Sequence, residues 1–382
     1  MRQSVLTLWT FYMLLSGYAS AAEIQQIMQV PSRVYAWTAF RGEPVAYAAR
    51  NGLYAIRNRQ TTKIERLNSD VHLSLSPNNR YMLFDELMPE PDSKTGDRVS
   101  VYTVHDAHNQ FAYKITRQTG ADLKSAVAAI SDDGILALVD PISAMAAFYR
   151  DQTLIAETQL YAAEGDYSLE RNVRIQWGGD RCYILIERPF TTGGSGGNVL
   201  FISLDSDGRN QRTRVLPFRQ VQQFLLKDGH KFISGYSYYP SERRMDPVIM
   251  EVSDTGETLW THSRFGHELA VSESGKYLAA RADHQTVVLF DLDNKRVSTV
   301  DFPESDTVAL GLSVNNSGKI ALIRVSRDFF VKKDTQAAQV ILPQSGGIVD
   351  VQLDPNYPDL FHTYSDGVNF YLGTSYEWLE IW

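Results

Sequence analysis

Short apolar runs, each entered through a polar turn, recur along the 382-residue chain at a mean spacing of about 45 residues. The turns are rich in Ser, Asn, Asp and Gly, and the runs in β-branched and aromatic residues. No sustained 3.6-residue periodicity accompanies them. Together these observations predict an all-β protein: a β-propeller of four-stranded antiparallel blades, eight in number, with seven as the alternative.

The first residues, MRQSVLTLWTFYMLLSGYASAAE, join a positive start at Arg2, an apolar run from Val5 to Leu15, and Ala19 and Ala21 spaced as in A-x-A. That pattern predicts a signal peptide over residues 1–21, cleaved near Ala21 or Ala22, and one propeller domain over 22–382. The apolar core is short for a bilayer span, and Ser16, Gly17 and Ser20 interrupt it. The expected compartment is the periplasm or the exterior, without stable membrane insertion.

The repeat is clearest in LSPNNRYMLF (75–84), ISDDGILALV (130–139), VSESGKYLAA (271–280) and VNNSGKIALI (314–323). FRGEPVAYAA (40–49), WGGDRCYILI (177–186), LKDGHKFISG (226–235) and LDPNYPDLFH (353–362) are looser copies. Within one copy, HELAVS, YLAARAD, TVVLFDLD and RVSTVDF are four strand candidates joined at SESGK, HQ and DNK, which makes one blade. Whole units run from VYAWTAF (34–40) to EWLEIW (377–382), and the stretch 140–170 could hide a helix or an irregular blade. Each small sheet is apolar on both faces, so it needs a neighbour on either side; a closed ring supplies both.

Composition bounds the partners. With 43% apolar and 21% charged residues the chain is that of a folded globular protein. The formal net charge is −8, and loss of a signal whose single charge is Arg2 makes it −9, which repels nucleic acid and anionic lipid overall. Cys182 is the sole cysteine, which excludes an internal disulfide and a thiolate metal cluster. An outer-membrane barrel fits poorly: ILALV, YILI and ALI are short continuous apolar runs, whereas membrane strands are about 9 to 11 residues long and alternate.

The S-x-(D/N)-(G/N) turns followed by apolar strands resemble WD-repeat-like propellers, with FDL at 290–292 where WD would fall and Gly266-His267 before the sixth blade. SDTGETLW, Ser253 to Trp260, resembles the T-G-x-x-x-W docking motif of quinoprotein-type propellers, in which the Trp wedges between blades. Such propellers often have eight blades. Some are enzymes using pyrroloquinoline quinone and others are cofactor-free scaffolds in outer-membrane protein assembly.

No motif assigns a catalytic or metal-ligating residue. GGSGG (193–197) satisfies G-x-S-x-G around Ser195, but a strand, NVLFISLD, follows where a nucleophile elbow needs a helix. His105 with His108, and His262 with His267, lack a fixed third ligand. DSDG (205–208) begins like a calcium loop but lacks the later oxygen ligands, and reads as a hairpin turn.

With strands a to d numbered outward from the axis, the b–c loops share a face with the connections between blades. Three of these loops are long: MPEPDSKTGD (88–97), PFTTGGSGG (189–197) and YPSERRMD (239–246). The last carries Tyr238, Tyr239, Arg243 and Arg244, residue types that dominate interface energetics, and Phe190 is a further candidate. The expectation is a non-enzymatic interaction scaffold, without cofactor, that binds another envelope or secreted protein. The alternative is a lactonase-like or quinoprotein-like enzyme with its site at the axial channel.

Overall fold

The computed structural model describes residues 24–381 except positions 50, 66–70, 90–97, 107–109, 120–125, 162–171, 188–197, 240–243, 264–267, 283–284, 302–306, 327–336, 343–346, 353–361 and 375. These residues form eight four-stranded antiparallel sheets, and seven of them are consecutive in sequence. Blades 1 to 7 span 34–65, 71–119, 127–159, 173–216, 218–263, 269–301 and 307–352. Blade 8 takes strands a to c from the C-terminal end and its outer strand d, Ile24–Gln29, from the N-terminal end. The chain is an eight-bladed β-propeller.

Strand b shows why the apolar runs are continuous. In Ile135–Val139 every residue is buried. Ile135, Ala137 and Val139 point into the core shared with blade 4, while Leu136 and Leu138 point into the core shared with blade 2. Successive side chains in a strand face opposite sides, so a sheet packed on both sides must be apolar at every position. The other cores repeat this plan, each built between two adjacent blades. Outer strands carry exposed polar residues instead, as in Gln60–Glu65 and Arg296–Asp301.

The expected strands of the sixth blade appear as Leu269–Val271, Tyr277–Arg281, Thr286–Asp291 and Arg296–Asp301. The stretch 140–170 holds two ordinary strands, Met145–Arg150 and Thr153–Gln159, with residues 162–171 outside the description. The eighth copy is placed differently from the expectation. Its first hairpin turns between His362–Ser365 and Phe370–Gly373, at the S-D-G of Ser365 to Gly367, whereas 353–361 lie outside the described residues.

Ring closure depends on the aromatic cluster where blade 8 meets blade 1. Trp378 is fully buried and donates from Nε1 to the Gly42 carbonyl at 3.1 Å; Trp37 donates to the Thr374 carbonyl at 2.6 Å. Their rings lie 5.4 Å apart. Trp260 of the quinoprotein-like motif sits between Phe232 of blade 5 and Phe290 of blade 6, the wedging role that the resemblance implies.

Candidate functional site

The ring has two faces. The upper face carries the b–c turns and the connections between blades; the lower face carries the a–b and c–d turns. Among the described residues, two blades stand above the rest on the upper face. In blade 2, strands b and c run over Tyr81–Pro89 and Arg98–Asp106, while strand a covers only Val71–Leu75. Val71 pairs with Glu86, so Leu87, Met88 and Pro89 rise about 10 Å beyond strand a, paired with Ser100, Val99 and Arg98. In blade 5, Phe218 of strand a pairs with Ser237, leaving Tyr238 and Tyr239 above it, paired with Met245 and Arg244.

The blade 5 hairpin therefore differs from the long loop expected. Tyr238 and Tyr239 end strand b, Arg244 opens strand c, and the segment between them is 240–243, because the ladder continues into residues of high strand preference. Blade 2 behaves likewise, with pairing reaching Pro89 and Arg98. Arg243 and Phe190 lie outside the described residues, as do residues 193–197 of the GGSGG stretch. Met245 is 42% exposed, a large apolar side chain at the tip of this hairpin.

The minor candidates resolve locally. His105 is buried against Phe84, with Phe111 at its edge, and His108 is outside the described residues. His262 packs edge-on to Phe290, and His267 is also outside. Asp205 to Gly208 form the turn between strands c and d of blade 4, closed by a hydrogen bond from the Gly208 amide to the Asp205 carbonyl. Among the described residues no three His, Cys, Asp or Glu side chains converge to hold a metal ion. Burial pushes the Cys182 thiol well above the usual thiol range.

The lower face contains a feature that sequence reasoning missed: a cavity of about 820 Å³ at the axial mouth. The repeat turns build its rim. Ser76, Ser131 and Ser272 are buried, and their hydroxyl oxygens accept from the backbone amides of Tyr81, Ile135 and Tyr277 across the turn. This is the physical role of the Ser in the S-x-(D/N)-(G/N) pattern. Neighbouring turns are tied together in places: Asn78 donates twice to the Asp132 carboxylate, at 2.8 Å each, and Ser274 donates from its amide to Asn316 at 2.8 Å.

Charge spans the mouth. Glu273 of blade 6 takes Lys227 of blade 5 at 2.6 Å and Arg41 of blade 1, from three blades away, at 3.5 Å. Glu273, Lys227 and Leu226 also line a second cavity of about 420 Å³ against the inner strands of blades 5 to 8, so the two spaces meet there. Deeper along that wall burial raises the Glu268 carboxyl pKa, opposed by Arg281 at 3.6 Å.

Outward from the axis the larger cavity enters the junction of blades 4 and 5. There the buried Lys231 ammonium donates to Asp254 at 2.8 Å and to the Gly229 carbonyl at 2.6 Å, and lies 5.2 Å from the centre of the Tyr183 ring. The Tyr183 hydroxyl donates to Asp254 at 2.6 Å. Lys231 first, then Tyr183, hold the Asp254 carboxyl below the usual carboxylate range. Burial and the adjacent carboxylate push the Tyr183 phenol well above its ordinary value. No sequence signal marks Lys231 or Asp254; Arg181 is the exception, opening its strand b at the place that Tyr81 and Tyr277 hold in blades 2 and 6.

Neither the protein-family models nor the curated proteins give any match. Solved structures do. BamB from Moraxella catarrhalis is 10% identical, with 94% of this chain and 99% of that chain covered at a TM-score of 0.57. What the two chains share is the β-propeller fold. The C-terminal WD40 domain of Sif2 is also 10% identical, covering 96% of this chain and 99% of its own at a TM-score of 0.50. At that identity the likeness is one of fold.

Proposed function

We propose that the chain is an exported, non-catalytic propeller that serves as a protein-interaction scaffold in the bacterial cell envelope, periplasmic or secreted. The observation that carries this reading is the upper tip of blade 5. Its hairpin outgrows the inner strand and ends on Tyr238, Tyr239 and Arg244 beside the exposed Met245. Tyr, Arg and Met are enriched in protein interfaces, and their concentration at one raised edge favours docking there. The raised edge of blade 2 stands three blades away, so two ribbons flank the upper ends of blades 3 and 4.

Export rests on the sequence of residues 1–21, and the first strand supports the cleavage position. That strand begins at Ile24, so cleavage near Ala21 or Ala22 leaves it whole for ring closure. A partner protein with an acidic docking patch suits the arginine pair at 243 and 244, since a guanidinium grips carboxylates through two hydrogen bonds.

The test is quantitative co-purification of the full exported chain from envelope extract, alongside the Arg243→Ala, Arg244→Ala double variant. Recovery of the specific partner is expected to fall at least about fivefold in the variant, as for loss of interface arginines. Equal recovery from both proteins removes the blade 5 tip as the docking surface. The same preparation is expected to begin at Ala22 or Glu23 on N-terminal sequencing; a chain that retains residues 1–21 contradicts the exported, processed form.

A further inference from the structure

The lower-face turns are packed by a repeated device. In blade 2 the first residue of strand b, Tyr81, lays its ring against Gly134 of the blade 3 turn. Tyr277 of blade 6 covers Gly318 of blade 7 in the same way, and Tyr371 of blade 8 covers Gly42 of blade 1. A methyl group on Gly134 would come within 2.9 Å of the Tyr81 ring, and one on Gly318 within 3.1 Å of Tyr277. A tyrosine at the foot of one blade thus closes the junction under the turn of the next.

The junction of blades 4 and 5 has the socket but not the ring. Gly229 occupies the second place of a two-residue turn, with φ +82, as Gly42 does in blade 1 with φ +81. Nothing lies within 4 Å of the position a side chain would take on Gly229, nor on Gly179 of blade 4. The first residue of strand b in blade 4 is Arg181, and its guanidinium is drawn to Asp205 at 2.8 Å. The large cavity reaches this junction, with Arg181, Lys231, Gly179 and Gly229 in its wall. Another lower-face space, of about 480 Å³ between blades 1 and 2, falls where Glu43 opens strand b. At these two junctions space accompanies the missing tyrosine.

We propose that the cleft between blades 4 and 5 receives a tyrosine side chain from a docking protein, which completes the pillar in trans. The shape argument is the repetition itself: three other junctions hold a tyrosine ring over the turn glycine. The chemistry agrees. The Arg181 side chain, one-fifth exposed in the cavity wall, provides a flat cation for the ring, and Asp254 provides an acceptor for the phenol hydroxyl. Tyrosine also gives large contact area for little conformational entropy. The site lies on the face opposite the blade 5 tip, so it stands or falls independently of docking there.

The experiment uses the full exported chain and N-acetyl-L-tyrosinamide as probe, read by saturation-transfer NMR, with N-acetyl-L-leucinamide as the apolar control. The tyrosine probe is expected to show transfer in the millimolar range suited to so small a ligand, and the leucine probe at least about fivefold less. Arg181→Tyr supplies the pillar in cis and is expected to reduce transfer about tenfold or more, whereas Arg181→Ala, which removes the cation but leaves the socket open, is expected to reduce it only about two- to fivefold. Gly229→Asn is a second blocking variant, because Asn tolerates a positive φ and fills the same space. Thermal melts show which variants are folded. Absence of transfer in the parent, equal transfer to both probes, or undiminished transfer in every folded blocking variant overturns the proposal.

Discussion

Gly134 and Gly229 both have left-handed backbone, with φ of 72° and 82°, yet their surroundings differ. Alanine at either position carries the strain of that conformation, on the order of 1–2 kcal/mol. At Gly134 the added methyl also meets the Tyr81 ring, while at Gly229 it enters open space. Gly134→Ala is therefore expected to be more destabilising than Gly229→Ala by about 1 kcal/mol or more in urea denaturation, from the overpacking alone. Equal costs would show that Tyr81 gives way freely. Asp254 offers a second residue-scale check. Its folded pKa is lowered by Lys231 and Tyr183, so its stabilisation is fully present above the unfolded carboxylate range and is lost as pH falls through the folded value. Asp254→Asn is expected to lower stability near pH 7 by on the order of 1 kcal/mol, discounted for the exposure of the carboxylate, with the gap to the parent closing below about pH 4. Melting midpoints across that range measure it.

At the scale of the element, strands and turns were mostly legible because their causes are local. Ser272 caps its own turn five residues before Tyr277, and Gly275 accepts the positive φ there, so SESGK signals a hairpin wherever it occurs. Ile135–Val139 signals a strand buried on both faces because neither face can stay wet. The resemblance of SDTGETLW to the quinoprotein docking motif placed Trp260 between blades. Local reading failed at strand ends: nothing in YPSERRMD marks how far pairing continues, since that depends on the register of strands b and c, Tyr238 with Met245 and Tyr239 with Arg244. It failed also at LDPNYPDLFH, which resembles a repeat turn as strongly as the true turn at Ser365 to Gly367. The lower-face cavity was illegible for a related reason. Arg181, Lys231 and Glu273 each look like ordinary turn charges until blades packed side by side bring them to one wall.

The whole molecule is a ring whose closure rests on six N-terminal residues. Ile24 pairs with Ile381 and Gln29 with Glu377, so the outer strand of blade 8 comes from the far end of the chain. Gln26 adds a side-chain hydrogen bond to Glu377 at 3.0 Å, and Met28 is buried in the closing core with Trp37 and Trp378. Deleting residues 24–29 uncovers the edge of Glu377–Ile381 and removes Met28 from its core. The expected result is a loss of about 2–5 kcal/mol on the scale of a buried Met truncation, with concentration-dependent self-association through the open edge. Urea midpoints and size-exclusion profiles at two concentrations test it; an unchanged midpoint and a monomeric profile would show that blade 8 is stable with three strands.

What the sequence determined unaided is the blade: its four strands, its capped turns, its two apolar faces and its eightfold recurrence. Those follow from side-chain alternation and backbone hydrogen bonding within about ten residues, and so can be read in any one copy. The tertiary structure alone decided which strand closes the ring, how far the tips of blades 2 and 5 rise, and which junctions lack a tyrosine pillar. Each of these depends on residues brought together from distant parts of the chain, such as Trp378 with Gly42 or Arg41 with Glu273, and local patterning carries no record of such meetings.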